Sequence, residues 1–383
     1  MTKYYLPDNY TLYGSNQFHK KISEHMKIIA DRVLNALGEI HVEALVLMGG
    51  YGRGEGTVLI ENETEQIYND YDFFLVLKNR ITQNQQKKIS FLEKALTQTI
   101  GIEVDLFPVS KTNFIRFPLS LMNYETKIKS GIIVGNQNIL NEMPNYDLTE
   151  MSSYEGSRLL LNRGSLLLWC ISETKKKENI DNADQITFIK YISKANLALG
   201  DSLLLLMKKY DYRYENKIRI FQELNVADFD GFNSLKNVYI QAANFKMKAN
   251  FEPYLKLNIN NLLIETIDLF SKYLWWHEQK RFESSMSNWE QLVHFISSDS
   301  TNKSILDKLK SCLLNFRLFG LKALLNPHLI FLYPRERLRM ILPLLLKPDK
   351  FNLSKAEKLL NVKTNLNYNV IFEKFWSIWI KYS

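Results

Sequence analysis

The stretch GGYGRGEG (49–56) places five glycines in eight residues, directly after the apolar run ALVLM (44–48). Glycine gives up more conformational freedom on ordering than any other residue, so such a cluster marks a tight turn or a close approach of a ligand to the main chain. The run before it, VEALVLM (42–48), reads as a buried strand, and two more follow: DYDFFLVL (70–77) and IEVDLFPV (102–109). Between those two lies a helical pattern, QNQQKKISFLEKALTQTI (83–100), and GIIVGN (131–136) reads as a short fourth strand. Upstream, Ser15 is placed to cap a helix with the stripe Phe18, Ile22, Ile29, Val33 and Leu37, closed by Gly38. Helix, strand, strand, helix, strand is the order of a mixed α/β layer.

That pattern stops near PNYD (144–147), after which apolar periodicity is almost wholly helical to the last stripe, Ile371, Phe375, Ile378, Trp379 and Tyr382. The expected organisation is therefore α+β: a core with a mixed sheet over residues 1–146, then a mostly α-helical domain over 147–383. A chain of 383 residues with 46% hydrophobic content is long enough for two such cores.

The aspartates give the glycines a chemical context. Asp70 and Asp72 flank Tyr71, and side chains alternate along a strand, so both carboxylates point to one side. Two like charges there repel unless a cation lies between them. Asp105 sits between apolar neighbours on the third strand and joins them if that strand pairs with the second. Hard oxygen ligands on rigid strands beside a glycine-rich turn suit Mg²⁺ or Mn²⁺ and phosphoryl chemistry. The alternative is a solvated strand edge with structural ion pairs.

An apolar strand, a Gly-Gly turn, an Asp-Tyr-Asp strand and a later strand aspartate together resemble the DNA polymerase β-type nucleotidyltransferase superfamily. GGYGRGE (49–55) is similar to the nucleotidyltransferase domain of the uridylyltransferases that modify the PII protein, and NYETKIKSGIIVGNQNIL (123–140) resembles the family's helix-then-strand segment. The resemblance covers about residues 20–140. It implies that Gly49 and Gly50 contact the phosphates of a nucleoside triphosphate, that Asp70 and Asp72 bind two metals, and that Asp105 binds one and helps deprotonate an acceptor hydroxyl. It also implies a triphosphate-contacting lysine in the helical half, for which Lys194, then Lys190, is the candidate. Arg53 either reaches a phosphate or pairs with Glu55. One departure stands out: nineteen residues separate Gly50 from Asp70, including IENETEQIYN (60–69), which reads as an inserted hairpin or flap.

The implied reaction moves a nucleoside monophosphate to a hydroxyl of a protein or small molecule. RNA, including tRNA ends, is the next acceptor, with the +8 net charge in its favour. A cyclic oligonucleotide synthase is a third reading, although those enzymes carry Gly-Ser where this chain has Gly49-Gly50. A nucleotide-binding regulator without catalysis is the reading outside enzymology. KYDYRYENK (209–217) mixes aromatic and basic residues as base-stacking surfaces do, and as helix ends also do. Tyr154, Arg158 and Asn162 share a helix face and either line a cleft or form a structural network. MTKYYLPDNY (1–10) shows no basic-then-apolar leader, no apolar run is long enough to span a bilayer, and the two cysteines show no metal-ligand or disulfide spacing. The expectation is a cytoplasmic protein without a membrane partner.

Overall fold

The computed structural model describes residues 3–177, 179–299 and 304–382, so the first two residues of the amino-terminal stretch lie outside it. Helix α1 (Asn16–Leu37) starts where Ser15 accepts a hydrogen bond from the Phe18 amide and ends at Gly38, whose φ of 84° few other residues tolerate. Strand β1 (Val42–Leu47) then runs into the five-residue helix α2 (Gly49–Arg53). Strands β2 (Val58–Glu61) and β3 (Thr64–Ile67) form a hairpin, followed by β4 (Tyr71–Leu77), α3 (Gln83–Ile100) and β5 (Val104–Ser110). Short helices α4 (Lys111–Phe114) and α5 (Leu121–Ile128) lead to β6 (Gly131–Gly135).

The rest of the chain is helical: α6 (Tyr154–Lys176), α7 (Asn182–Leu206), α8 (Tyr214–Glu223), α9 (Phe232–Met247), then a two-residue strand β7 (Lys248–Ala249). It continues with α10 (Glu252–Leu255), α11 (Ile259–Arg281), α12 (Trp289–Asp299), α13 (Ile305–Phe319), α14 (Pro334–Leu346), α15 (Lys350–Leu360) and α16 (Tyr368–Tyr382). Of these, α8 and α15 are not singled out by the periodicity of the sequence.

Two compact units emerge. The first holds residues 1–152 together with two later segments, 210–222 and 243–250; the second holds 153–209, 223–242 and 251–383. The break near 144–147 expected from sequence thus has a more complicated counterpart. The first unit runs on to Ser152 and takes back α8 and β7 from within the helical stretch.

In the first unit, four strands lie in the order β5-β4-β1-β6, with β4 and β5 parallel and the other pairs antiparallel. Strand alternation sorts β4 between two cores. Tyr71, Phe73, Leu75 and Leu77 pack with Ile22, Met26 and Ile29 of α1, while Phe74 and Val76 pack with Phe114 and Ile139 on the other face. A second sheet of three strands has the order β3-β2-β7, with β7 parallel to β2. The insertion at 60–69 is therefore a hairpin; its turn residues Asn62 and Glu63 have φ of 49° and 61°, the positive pair that two-residue hairpin turns use.

The second unit is built of helices, with α14 almost entirely buried, including Arg337 and Arg339. Arg339 is satisfied by Glu336 at 2.7 Å and Glu278 at 3.0 Å, and Glu278 also binds Arg281 at 3.0 Å and accepts the Ser157 hydroxyl at 2.5 Å. Tyr154 hydrogen-bonds Glu336, and Arg158 pairs with Glu155 at 2.7 Å. The face that Tyr154 opens is thus a structural network as far as Tyr154 and Arg158 define it.

Candidate metal centre

Tyr71 fixes the direction of its neighbours. Its ring is fully buried, packs edge-on against Tyr51 at 5.2 Å between centroids, and its hydroxyl meets His25 Nδ1 at 3.1 Å. With Tyr71 held inward, Asp70 and Asp72 must project to the opposite face. Strand β5 lies parallel to β4 with Asp105 directly beside Asp72, so the third carboxylate joins them by register. One oxygen from each of Asp70, Asp72 and Asp105 lies within 4.8 Å of the other two, and all three residues are half-buried.

This crowding has an electrostatic signature. Burial first, then the charges of Glu103, Asp70 and Glu93, push the Asp105 carboxyl up from 3.8 to about 6. Glu103 therefore acts on the cluster from its rim. Three converging carboxylate oxygens are a fitting donor set for a hard divalent cation.

The glycine turn abuts the carboxylates. The Met48 amide donates to the Asp72 carbonyl at 2.8 Å, and Gly49 follows with φ of 63°. A Cβ on Gly49 would stand 2.8 Å from Asp72 Oδ2, so a side chain at this position would press into the carboxylate. Gly56 has a different reason: a Cβ there would meet the Tyr51 ring at 2.1 Å. Helix α2 begins at Met48 with no side chain capping its first amides.

A lysine invisible to sequence reasoning reaches this turn. Lys246, in the segment that returns to the first unit, brings its Nζ to 3.4 Å from where a Gly50 Cβ would be. Its carbonyl accepts from Thr57 Oγ1 at 2.7 Å, and β7 follows at once alongside β2, so the main chain here is tied down. Lys190 and Lys194, the lysines favoured from sequence, lie half-buried on α7 of the second unit.

Arg53 is engaged elsewhere. Its Nη1 lies 2.6 Å from Glu125 Oε2, and Glu125 Oε1 accepts the Tyr210 hydroxyl at 2.5 Å. Burial opposes the guanidinium charge, but Glu125, with Tyr210, Tyr214 and Glu55 behind it, overcomes that and holds the pKa above its usual range. The buried Lys217 Nζ donates to the same Tyr210 hydroxyl at 2.9 Å and lies over the Tyr210 and Tyr214 rings at 4.1 and 4.5 Å. Glu55 Oε1 accepts from the Tyr214 amide at 3.0 Å. Thus Tyr210, Tyr214 and Lys217 of the KYDYRYENK stretch face inward and fasten α8 to the end of α2. No family model and no curated protein matches the chain.

Proposed function

We propose that the protein is a divalent-metal-dependent nucleotidyltransferase, moving a nucleoside monophosphate from a nucleoside triphosphate to an acceptor hydroxyl with release of pyrophosphate. The observation that carries this is the meeting of Asp70, Asp72 and Asp105 beside a glycine whose missing side chain leaves room at the carboxylates. Asp70 and Asp72 would hold the cations, with Asp105 as the third ligand. Bound Mg²⁺ or Mn²⁺ would supply Lewis-acid stabilisation of charge on the α-phosphate and on the departing pyrophosphate.

The chain's own groups do the rest. Gly49 and Gly50 present main chain with no side chain in the way, next to the uncapped start of α2. The Lys246 ammonium adds positive charge at that turn, where phosphate oxygens would lie. The Asp105 carboxylate, beside the other two, is placed to accept the proton of the attacking hydroxyl. The acceptor hydroxyl is assigned to a protein or a small molecule, because the aromatic-basic stretch that could have offered stacking rings to RNA spends Tyr210, Tyr214 and Lys217 internally.

Incubation with each α-labelled nucleoside triphosphate and Mg²⁺ or Mn²⁺, alone and with cell lysate, tests the assignment. Label is expected on a protein or small-molecule product, and Asp70→Asn or Asp72→Asn should abolish it while leaving the urea midpoint close to that of the parent. Transfer retained in either variant would overturn the proposal.

A further inference from the structure

The helical unit contains a cleft of its own, about 730 Å³, walled by α7, α9 and α11. Every residue lining it belongs to the second unit, so it is formed without the aspartate cluster of the first. Its volume falls within the roughly 300–1,000 Å³ of pockets that take small organic ligands.

Ile192, Leu262 and Leu269 give the cleft an apolar part, and Tyr254 adds an aromatic ring. Asn196 also lines it, only 8% exposed, with an amide oxygen that has no hydrogen-bond partner among the described residues. A buried acceptor without a donor is costly and is normally satisfied. The charged lining groups are Asp230, Glu265, Asp268 and Lys272, all exposed, with Asp268 partly committed to Lys347 at 2.9 Å. Among the charged lining groups carboxylates thus outnumber the one ammonium, and within the cleft the Asn196 amide oxygen lacks a donor, alongside the mixed hydroxyl and amide groups of Ser193, Ser234, Asn237, Gln241 and Thr266.

We infer that this cleft is a second ligand site, for a small amine-bearing molecule with an apolar or ring body. The protonated amine meets the carboxylates and the Tyr254 ring, a donor hydrogen satisfies Asn196 Oδ1, and the body lies on the leucines and Ile192. A compact anion such as a nucleotide phosphate is disfavoured by the same carboxylates. This assignment does not depend on the reaction proposed for the first unit.

Three molecules that share a ring and differ in charge test it: tyramine, 4-ethylphenol and 4-hydroxyphenylacetate, with spermidine as an amine lacking a ring. Each is titrated calorimetrically into the full-length protein in the presence of EDTA. Tyramine is expected to bind at least tenfold tighter than its neutral and anionic counterparts. The exposed change Glu265→Gln, and separately Asn196→Ala, should each weaken it several-fold, and Asp72→Asn should leave it unchanged. Failure of both amines to bind would overturn the proposal. So would amine binding that Glu265→Gln does not alter, or that Asp72→Asn abolishes, since the latter would place the amine among the aspartates. Tighter binding of 4-hydroxyphenylacetate than of tyramine would overturn it too, as would water alone serving Asn196, shown by binding of no probe.

Discussion

Asp105 binds its proton more tightly in the folded protein than in the unfolded chain, because burial and then Glu103, Asp70 and Glu93 raise its pKa from 3.8 to about 6. The sign follows directly. Its contribution favours the fold below about pH 4 and is lost as pH rises through about 6. Hence, in EDTA, Asp105→Asn should be at least as stable as the parent at pH 7, and its advantage should shrink as pH falls toward 4. With Mg²⁺ the order should reverse, since the parent gains stability by binding and the variant loses that gain. Urea midpoints at several pH values, with and without Mg²⁺, read both effects; a variant destabilised at pH 7 in EDTA would remove the repulsion account. The aspartate cluster was legible in the sequence because alternation along β4 and one assumption about pairing suffice to assemble it. Arg53 was not, because Glu125 and Tyr210 reach it only through folding.

The elements that complete the turn come from far along the chain. Thr57 and Lys246 lie 189 positions apart, and β7 has only two residues, too few to carry an alternating pattern. A helix pattern over 232–248 describes the local chain correctly and still hides that its last turns belong with β2. The resemblance read from sequence points instead to a lysine of the helical half, Lys194 ahead of Lys190. The geometry favours Lys246, and the two make different predictions. If Lys246 faces the phosphates, Lys246→Ala should raise the KM for nucleoside triphosphate about tenfold or more, the loss of one charge-assisted contact. Lys194→Ala should change KM less than that. Steady-state kinetics on both variants decide between them, and the opposite ranking would return the role to α7. The hairpin β2–β3 shows the converse case, where the polar stretch 60–69 leaves a hairpin or a flap open in the sequence and the pairing of β2 with β3 decides for the hairpin.

At the scale of the whole molecule, the half-buried Asp105 and the buried Glu278 bend the pH dependence of stability in opposite directions. Burial alone would raise the pKa of Glu278, but the neighbouring Arg339 and Arg281, with His277 Nδ1 3.7 Å away, hold it well below the carboxylate range. Its stabilisation is therefore present above the unfolded value near 4.5 and is lost as pH falls below it. Asp105 works the other way over a neighbouring range. Replacing Glu278 by Gln leaves Arg339 and Arg281 buried with less compensation and should cost about 3–5 kcal/mol at pH 7. The same change should flatten the acid limb of the profile for the second unit, followed in denaturant melts. A loss under about 1 kcal/mol would mean the arginines find other partners. Of this network the sequence offers only the helix face that Tyr154 opens, because Ser157, Glu278 and Arg339 meet only when α6, α11 and α14 pack. Among the described residues no helix is long and apolar enough to cross a membrane.

The return of residues 210–222 and 243–250 to the first unit also sets an order of events during synthesis. A ribosome that has released the first 152 residues has delivered the glycine turn and all three aspartates, yet not Lys217, β7 or Lys246. Arg53 lacks Tyr210 until about sixty more residues emerge, and β2 lacks its parallel neighbour until about a hundred have. A nascent chain or a premature fragment would thus carry the acidic cluster without the lysine beside it, and the completed turn waits on translation past residue 250.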